Sequence, residues 1–181
     1  MRFTATLRKH WCLTGIGNPE PQYRGSRHNV GLYVLDQLKE LLVPGETYSR
    51  AKGVHILTKG CLTFIRSDMN YINLSGSSVR ASWNKLHNTD FTVIHDELSL
   101  QPGKLQLRNT GASHRGHNGL KSIQKLGIPF QKLAIGIGRP ESRDPQDVAN
   151  YVLGQLTREE LDIINNTVIP RALQLIKDKL Q

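Results

Sequence analysis

The fold is decided by residues 11–42, which read WCLTGIGNPEPQYRGSRHNVGLYVLDQLKELL. The apolar run at 11–16 predicts a β-strand, and apolar residues at helical spacing predict a helix from about 29 to 42. The loop between them is long, because connections in α/β units usually take about 2–6 residues. Loops at the carboxyl ends of strands form the binding crevice of an open α/β sheet, so we expect the site to begin here. This loop carries an amide, a phenol and an imidazole, on Asn18, Tyr23 and His28.

The rest of the chain continues to alternate strands with helices. Short apolar runs predict further strands at 54–58, 62–65, 91–94, 105–107 and 132–137. Helical spacing predicts helices at 74–86, 118–126, 148–153 and from 157 to about 180. Asn73 and Asn118 are expected to cap two of these helices, and Thr157 with Glu160 predicts a capping box. The pattern predicts a single three-layer α/β domain over residues 1–181, with a mixed, mostly parallel, twisted sheet flanked by helices.

The charge of the chain favours an anionic partner. The formal net charge is +9, and the segment 104–143 holds eight basic residues and one acid, so it contributes +7 alone. Charge concentrated around one predicted loop and helix is typical of a surface that binds phosphate, although it can also serve solubility. No apolar run reaches the roughly 20 residues that span a bilayer, so we expect no membrane among the partners.

Two features bear on the compartment in which the protein works. Cys12 and Cys61 have no spacing typical of metal ligands or a disulfide framework, which indicates an intracellular chain. The first ten residues contain Arg2, Arg8 and Lys9 and no acid, as mitochondrial address segments do. A short basic lead-in to the first strand explains them equally well. We therefore expect a cytoplasmic protein, with a mitochondrial one as the alternative.

Five polar residues follow predicted strands or precede predicted helices. They are Asn18, His28, Asn73, Asp96 and Asn118. Taken singly, each is better explained as a helix cap, a turn former or a structural histidine. Taken together, they lie in the loops where an α/β fold binds its ligands, so we expect them to converge.

This set of side chains indicates hydrolysis by an activated water. His28 is the strongest candidate for a general base, because a free imidazole titrates near ~6.5. Asp96 can accept a hydrogen bond from one ring nitrogen and so fix the tautomer. Amides neither titrate nor attack, but they hold a carbonyl oxygen or a water in place. Neither Ser75 nor Ser113 lies in a Gly-x-Ser-x-Gly elbow, so we expect no side-chain nucleophile.

A metal site is the other use for the histidines and the aspartate. The candidates are His28, His95, Asp96, His114 and His117. No zinc-type ligand pattern is present, and the charge of Arg115 between two of the histidines opposes a cation. We therefore expect no metal ion.

As a set, these motifs resemble the bacterial-type peptidyl-tRNA hydrolase family. Five segments in family order carry the resemblance: 15–19 with Tyr23 and 27–31, then 71–76, 95–98 with 102–103, 115–120, and 135–140. The resemblance extends from residue 11 to about 153 and implies a monomeric α/β enzyme without metal or organic cofactor. The implied reaction is hydrolysis of the ester that joins a peptide's C-terminus to the terminal ribose of tRNA.

The resemblance also assigns roles by position. His28 is the base and Asp96 its partner. The remaining substrate-binding residues are Asn18, Tyr23, Tyr71, Asn73 and Asn118, with Tyr23 seating the terminal nucleotide or ester. The asparagines hold the peptide main chain and the catalytic water.

The phosphate clamp of the family is only partly matched. Arg108 occupies the comparable place before the glycine-rich loop, but Ala134 stands where a second basic residue is often found. The clamp then depends on Lys132 or Arg139. The loop 109–115 is longer than usual and poorer in glycine, and Arg115 is an added candidate phosphate contact.

Two other functions fit parts of the sequence. One is an RNA-binding factor on the same fold that assists RNA processing without hydrolysis. The other is a peptidase or small-molecule esterase, whose activity would not depend on salt. The basic charge alone does not separate the first of these from the enzyme.

Overall fold

The computed structural model describes residues 9–180. Seven strands form one sheet: β1 (His10–Ile16), β2 (Ser49–Ala51), β3 (Val54–Lys59), β4 (Leu62–Ser67), β5 (Thr89–Glu97), β6 (Leu105–Arg108) and β7 (Gln131–Gly136). Their order across the sheet is β2-β3-β4-β1-β5-β7-β6. The four central strands β4, β1, β5 and β7 are parallel, and β2, β3 and β6 join by antiparallel pairing. The predicted mixed sheet is confirmed.

Helices cover both faces of the sheet. They are α1 (Val30–Leu42), α2 (Ser75–Trp83), α3 (Asn118–Gln124), α4 (Pro145–Leu153), α5 (Arg158–Ile163) and α6 (Ile169–Leu180). Short 3-10 turns, Arg27–Asn29 and Ile72–Leu74, precede α1 and α2, and a π-helical turn, Ile164–Val168, joins α5 to α6.

Each face has its own apolar core. Residues adjacent in a strand point to opposite faces, so Leu13 packs with α1 and α6 while Cys12 packs with α2 and α3. In the second core Trp83 stacks on Phe91 at 4.3 Å between ring centres, and its indole donates to Thr14 at 3.1 Å. The predicted three-layer α/β architecture follows from these two cores.

Several element predictions are confirmed and others need correction. The hairpin of β3 and β4 and the Thr157–Glu160 capping box are present as expected. The edge strand β2 was not predicted. The long final helix is divided by the π-helical turn. Neither Asn73 nor Asn118 is an N-cap, because Leu74 and His117 occupy those positions.

The extent of the domain to residues 1–181 stays a prediction. Arg2 and Arg8 of the possible address segment lie outside the described residues. Within residues 9–180, no helix combines the length and the apolar character needed to cross a membrane.

Candidate active site

The long loop after β1 is closed by one side chain at its far end. Asn29 accepts a hydrogen bond from the backbone N–H of Asn18 at 2.8 Å and donates one to the carbonyl oxygen of Asn18 at 3.0 Å. A buried amide that pairs with both backbone groups of one residue fixes the two ends of the loop together. His28 precedes Asn29 in the same 3-10 turn, so the contact between Asn29 and Asn18 also fixes the position of His28 above the sheet.

The same turn is brought close to β5 by a glycine. A Cβ atom on Gly31 would lie 2.3 Å from the carbonyl oxygen of Ile94, so only glycine lets α1 approach this strand. Two residues further along β5 is Asp96, which is 4% exposed. The Nδ1 atom of His28 lies 2.9 Å from Oδ1 of Asp96. The expected contact between these two residues is therefore present.

A second histidine binds the same carboxylate oxygen. The Nε2 atom of His117 lies 2.8 Å from Oδ1 of Asp96, while its Nδ1 accepts the backbone N–H of Leu120 at 3.3 Å. An Nδ1 that accepts has no proton, so in the neutral ring the proton is on Nε2 and is donated to Asp96. The sequence predicted this histidine only as a possible metal ligand. No cap propensity marks His117 in the sequence, because histidine is not a preferred N-cap residue.

The electrostatics of the pair favour an ionised carboxylate and a basic imidazole. Burial alone would raise the pKa of Asp96, but the charges and hydrogen bonds of His28 and His117 hold it well below its usual range. Burial acts to lower the pKa of His28, and attraction to Asp96 outweighs it, so that pKa is raised above 6.5. With Nδ1–H donated to Asp96, Nε2 of His28 carries the free lone pair.

Three side-chain amides surround this pair. Oδ1 of Asn18 accepts the backbone N–H of Ile72 at 2.9 Å, which directs its amide group toward the cleft. Asn73 and Asn118 are exposed and line the same cleft. Since neither caps a helix, both amides are free to bind a ligand.

These groups share one cleft of about 660 Å³. The sequence-predicted residues that line it are Asn18, His28, Tyr71, Asn73, Asp96, Arg115, Asn118 and Arg139. Tyr23 does not line it, but its ring meets that of Tyr71 edge-on, with 6.1 Å between centres. Arg143 and the apolar face of α4 also line the cleft. The sequence indicated Arg143 only as part of the basic segment 104–143, and it did not indicate the face of α4.

Two of the residues expected to bind tRNA phosphate, Arg108 and Lys132, lie on strands and already contact other groups of the protein. Arg108 forms an ion pair with Glu97, whose side chain is also buried, and its guanidinium contacts Gln106 at 3.1 Å. Lys132, the second residue of β7, is buried and donates to the carbonyl oxygen of Ala112. Arg115, by contrast, is exposed and reaches Ser99 at 2.8 Å. Among the described residues, the arginines that line the cleft are Arg115, Arg139 and Arg143.

Three of the possible metal ligands lie close together in the structure. Ligand atoms of His28, Asp96 and His117 lie within 4.8 Å of one another, which is close enough to hold a cation. The same atoms already form the two hydrogen bonds described above, so a metal would have to replace both. His95 is directed elsewhere, with Nδ1 2.7 Å from the Asp96 carbonyl oxygen, and burial lowers its pKa to about 3. The metal-free interpretation stays a prediction.

The fold and the cleft define an α/β protein with an imidazole–carboxylate pair and free amides at the carboxyl edge of its sheet. The chain belongs to the peptidyl-tRNA hydrolase family, whose model matches residues 12–181. The peptidyl-tRNA hydrolase of Saccharomyces cerevisiae is 49% identical, over 88% of this chain and 91% of the yeast protein. The enzyme of Bacillus subtilis is 38% identical, over 86% of this chain and 85% of its own.

A solved structure agrees with this assignment. The crystal structure of the Acinetobacter baumannii peptidyl-tRNA hydrolase superposes with a TM-score of 0.81 at 30% sequence identity. The match covers 97% of this chain and 90% of that chain. The resemblance seen in the sequence is confirmed, and so is the predicted fold class.

Proposed function

We propose that this protein hydrolyses the ester between the C-terminus of a peptide and the 3′-terminal ribose of tRNA, and so recycles tRNA. The proposal rests on one observation: the His28–Asp96 pair lies beside the side-chain amides of Asn73 and Asn118, neither of which is used to cap a helix. Membership of the peptidyl-tRNA hydrolase family supplies the substrate class. A protein that only binds RNA gains nothing from an oriented base, so this arrangement favours the enzyme over the RNA-binding alternative.

The chemistry follows from the free lone pair on His28. Nε2 takes a proton from a water molecule as that water attacks the ester carbonyl carbon, and Asp96 stabilises the resulting imidazolium. The amides of Asn18, Asn73 and Asn118 hold the peptide main chain and the water, and they donate to the oxyanion that develops. His28 then returns the proton to the ribose oxygen as the ester bond breaks. No step requires a metal or an organic cofactor.

The basic residues hold the RNA in this proposal. Arg115 and Arg139 contact phosphates directly from the rim of the cleft, and Tyr23 with Tyr71 seats the terminal nucleotide. Arg108 binds phosphate by exchanging its contact with Glu97. Lys132 takes part only after the loop 109–115 moves away from its ammonium group.

We also propose that the enzyme acts as a monomer inside the cell, in the cytoplasm or, alternatively, in the mitochondrion. Light scattering at micromolar concentration measures the first property, and a dimer mass would contradict it. Imaging of the full chain with a C-terminal fluorescent tag distinguishes the two compartments.

The experiment that tests the function is release of an acyl group from tRNA. N-acetyl-aminoacyl-tRNA represents the substrate, and aminoacyl-tRNA with a free amine is the control. We expect hydrolysis of the blocked substrate with a kcat/KM that falls as salt rises, by a slope of about −0.7 to −0.9 per phosphate contacted. Binding without release would identify an RNA-binding factor, and release that ignores salt would identify a small-molecule esterase.

A further inference from the structure

Arg27, the residue before His28, forms a partly buried ion pair with a distant part of the chain. Its Nε and Nη2 atoms donate to the two carboxylate oxygens of Glu160 at 2.8 and 2.9 Å. The two side chains are 13% and 14% exposed. A two-point contact between arginine and carboxylate fixes geometry as well as distance. The turn that carries His28 is therefore tied to α5.

The same guanidinium group also holds α4. Its Nη1 donates to the carbonyl oxygen of Tyr151 at 3.2 Å, and its central carbon lies 4.3 Å from the centre of the Tyr151 ring. The hydroxyl of Tyr151 donates in turn to the carbonyl oxygen of Ile137 at 2.5 Å. Val148 and Val152 of this helix line the cleft. Arg27 thus joins one wall of the cleft to the turn beneath the base.

Glu160 is held in place independently of the arginine. It is the third residue of α5, where its Oε2 accepts the backbone N–H of Thr157 at 2.7 Å as half of the capping box. The helix dipole and the backbone N–H groups at a helix N-terminus attract a carboxylate, and the capping contact fixes the orientation of this one. The arginine therefore meets an anion that is already oriented.

Backbone contacts run beside this ion pair. Arg27 donates its N–H to the carbonyl oxygen of Gly154 at 2.9 Å, and Leu156 donates to that of Gly25 at 2.9 Å. Ser26 and Gln155 form an antiparallel bridge between them. Because these contacts do not depend on the guanidinium, we expect side-chain variants of Arg27 and Glu160 to fold.

We infer that Arg27 is a positioning residue, which fixes the imidazole of His28 relative to the α4 wall, and that Glu160 balances the charge of Arg27 one residue along the chain from the base. The inference rests on the proposed function. An unbalanced guanidinium one residue from His28 would disfavour the imidazolium that forms when water is activated. Within residues 9–180, the other charged or titratable groups around His28 are Asp96 and Glu97 from β5, His114 and His117 before α3, and the arginines of the cleft rim, Arg115, Arg139 and Arg143.

The geometric part is tested with a substitution that keeps the charge. Arg27→Lys retains the cation but loses the planar fork, so it cannot make the two-point contact. Since small misplacements of reacting groups are costly, we expect kcat on N-acetyl-aminoacyl-tRNA to fall about tenfold or more. KM changes less, because the basic residues of the rim are intact.

The matched control lies three residues earlier in the same loop. Arg24→Lys makes the same change on a side chain that is 72% exposed and whose ion pair, within residues 9–180, is an i,i+4 contact with Glu20 at 3.3 Å. We expect wild-type kcat and KM from it. A wild-type kcat in Arg27→Lys would overturn the positioning role.

The charge-balance part is tested without turnover, by NMR titration of the His28 imidazole. Glu160→Gln leaves the cation unbalanced and lowers the pKa of His28, whereas Arg27→Gln leaves the anion unbalanced and raises it. A purely structural role predicts no such opposite pair of shifts. Shifts of equal sign, or none, overturn charge balance. Opposite shifts in a protein that does not hydrolyse the substrate would refute the proposed function while leaving this electrostatic role in place.

Discussion

The imidazole of His117 donates a hydrogen bond of 2.8 Å to the carboxylate of Asp96, whose same oxygen faces the ring of His28 at 2.9 Å. Asp96 thus orients the proposed base and is itself held by a second ring. Because the two rings share one oxygen, removing either changes the hydrogen bond that the other forms. This arrangement makes His117 a supporting residue rather than a second base.

Replacing His117 with alanine should therefore weaken both the site and the fold. A buried carboxylate that loses one of its two imidazole donors loses a charged hydrogen bond of about 1.5–3 kcal/mol. We expect the free energy of unfolding to fall by roughly that amount in urea titrations. We also expect the pKa of His28 to rise, because it becomes the remaining imidazole donor to Asp96. An unchanged unfolding free energy would show that the contact does not stabilise the protein.

Activity and site stability should have opposite pH dependences. The pKa of His28 is raised above its free value near 6.5, so its stabilising contribution is complete below pH 6.5 and is lost as pH rises through the folded pKa. The pKa of Asp96 is depressed, so its contribution is present above about pH 4 and is lost as pH falls. The pair should stabilise the fold most between roughly pH 4 and 6.5.

Catalysis needs the neutral imidazole, so kcat/KM should rise through a pKa above 6.5. Asp96→Asn should move this acid limb to lower pH and reduce kcat, because the imidazolium loses its counter-charge and the tautomer is no longer fixed. The pH profiles of both proteins, with the difference in unfolding free energy across the same range, check the prediction. An acid limb that does not move in Asp96→Asn would contradict it.

Two arginines assigned to the tRNA should respond differently to removal. Arg108 is paired with the buried carboxylate of Glu97, so Arg108→Ala should cost roughly 2–5 kcal/mol of stability by leaving that charge without its cation. Arg139 is exposed at the cleft rim, so Arg139→Ala should change stability by less than about 0.5 kcal/mol.

The salt dependence of tRNA binding distinguishes the same two variants. If Arg139 contacts a phosphate, its loss should raise KM and reduce the salt slope by about 0.7–0.9. Urea unfolding and salt titrations of both variants provide the comparison. A stable Arg108→Ala protein would show that its ion pair contributes little to the fold, and an unchanged salt slope in Arg139→Ala would remove Arg139 from the phosphate contacts.

Metal removal should leave the enzyme active. Although His28, Asp96 and His117 are close enough to bind a cation, the proposed mechanism uses their hydrogen bonds instead. We expect full hydrolysis of N-acetyl-aminoacyl-tRNA after prolonged dialysis against a chelator. Added Zn²⁺ should inhibit, since imidazole and carboxylate are good zinc ligands and the metal would displace the bond that orients His28. Loss of activity on dialysis, restored by a metal, would replace this mechanism.

The sequence predicted the strands and helices that carry this site because their patterns are local in the chain. Helical spacing after the first strand located α1, and strand ends located His28 and Asp96 at one edge of the sheet. The capping box of Thr157 and Glu160 was recognisable because its two contacts lie three residues apart. Glu160 of this capping box also binds Arg27. These two residues are 133 positions apart, so no local sequence pattern predicts their contact.

Side-chain partners account for most of what the sequence could not show. Lys132 carries a charge and was expected to be a phosphate contact, but it lies on a central strand, where neighbours bury it. Asn118 was expected to cap α3, yet His117 does so by accepting the N–H of Leu120. Histidine is not a preferred cap, so the propensity argument selected the wrong neighbour. The corrected placement leaves the amide of Asn118 free.

The single-turnover rate constant for N-acetyl-aminoacyl-tRNA hydrolysis in His28→Ala tests the central claim most directly. Positioned general-base catalysis contributes about 10²–10⁴-fold, so we predict a loss in that range while tRNA binding stays close to wild type. Because His28 is the other imidazole partner of Asp96, we expect the free energy of unfolding to fall by about 1.5–3 kcal/mol, as in His117→Ala. A variant that folds, binds tRNA and hydrolyses the ester at the wild-type rate would contradict the assignment of His28 as the base.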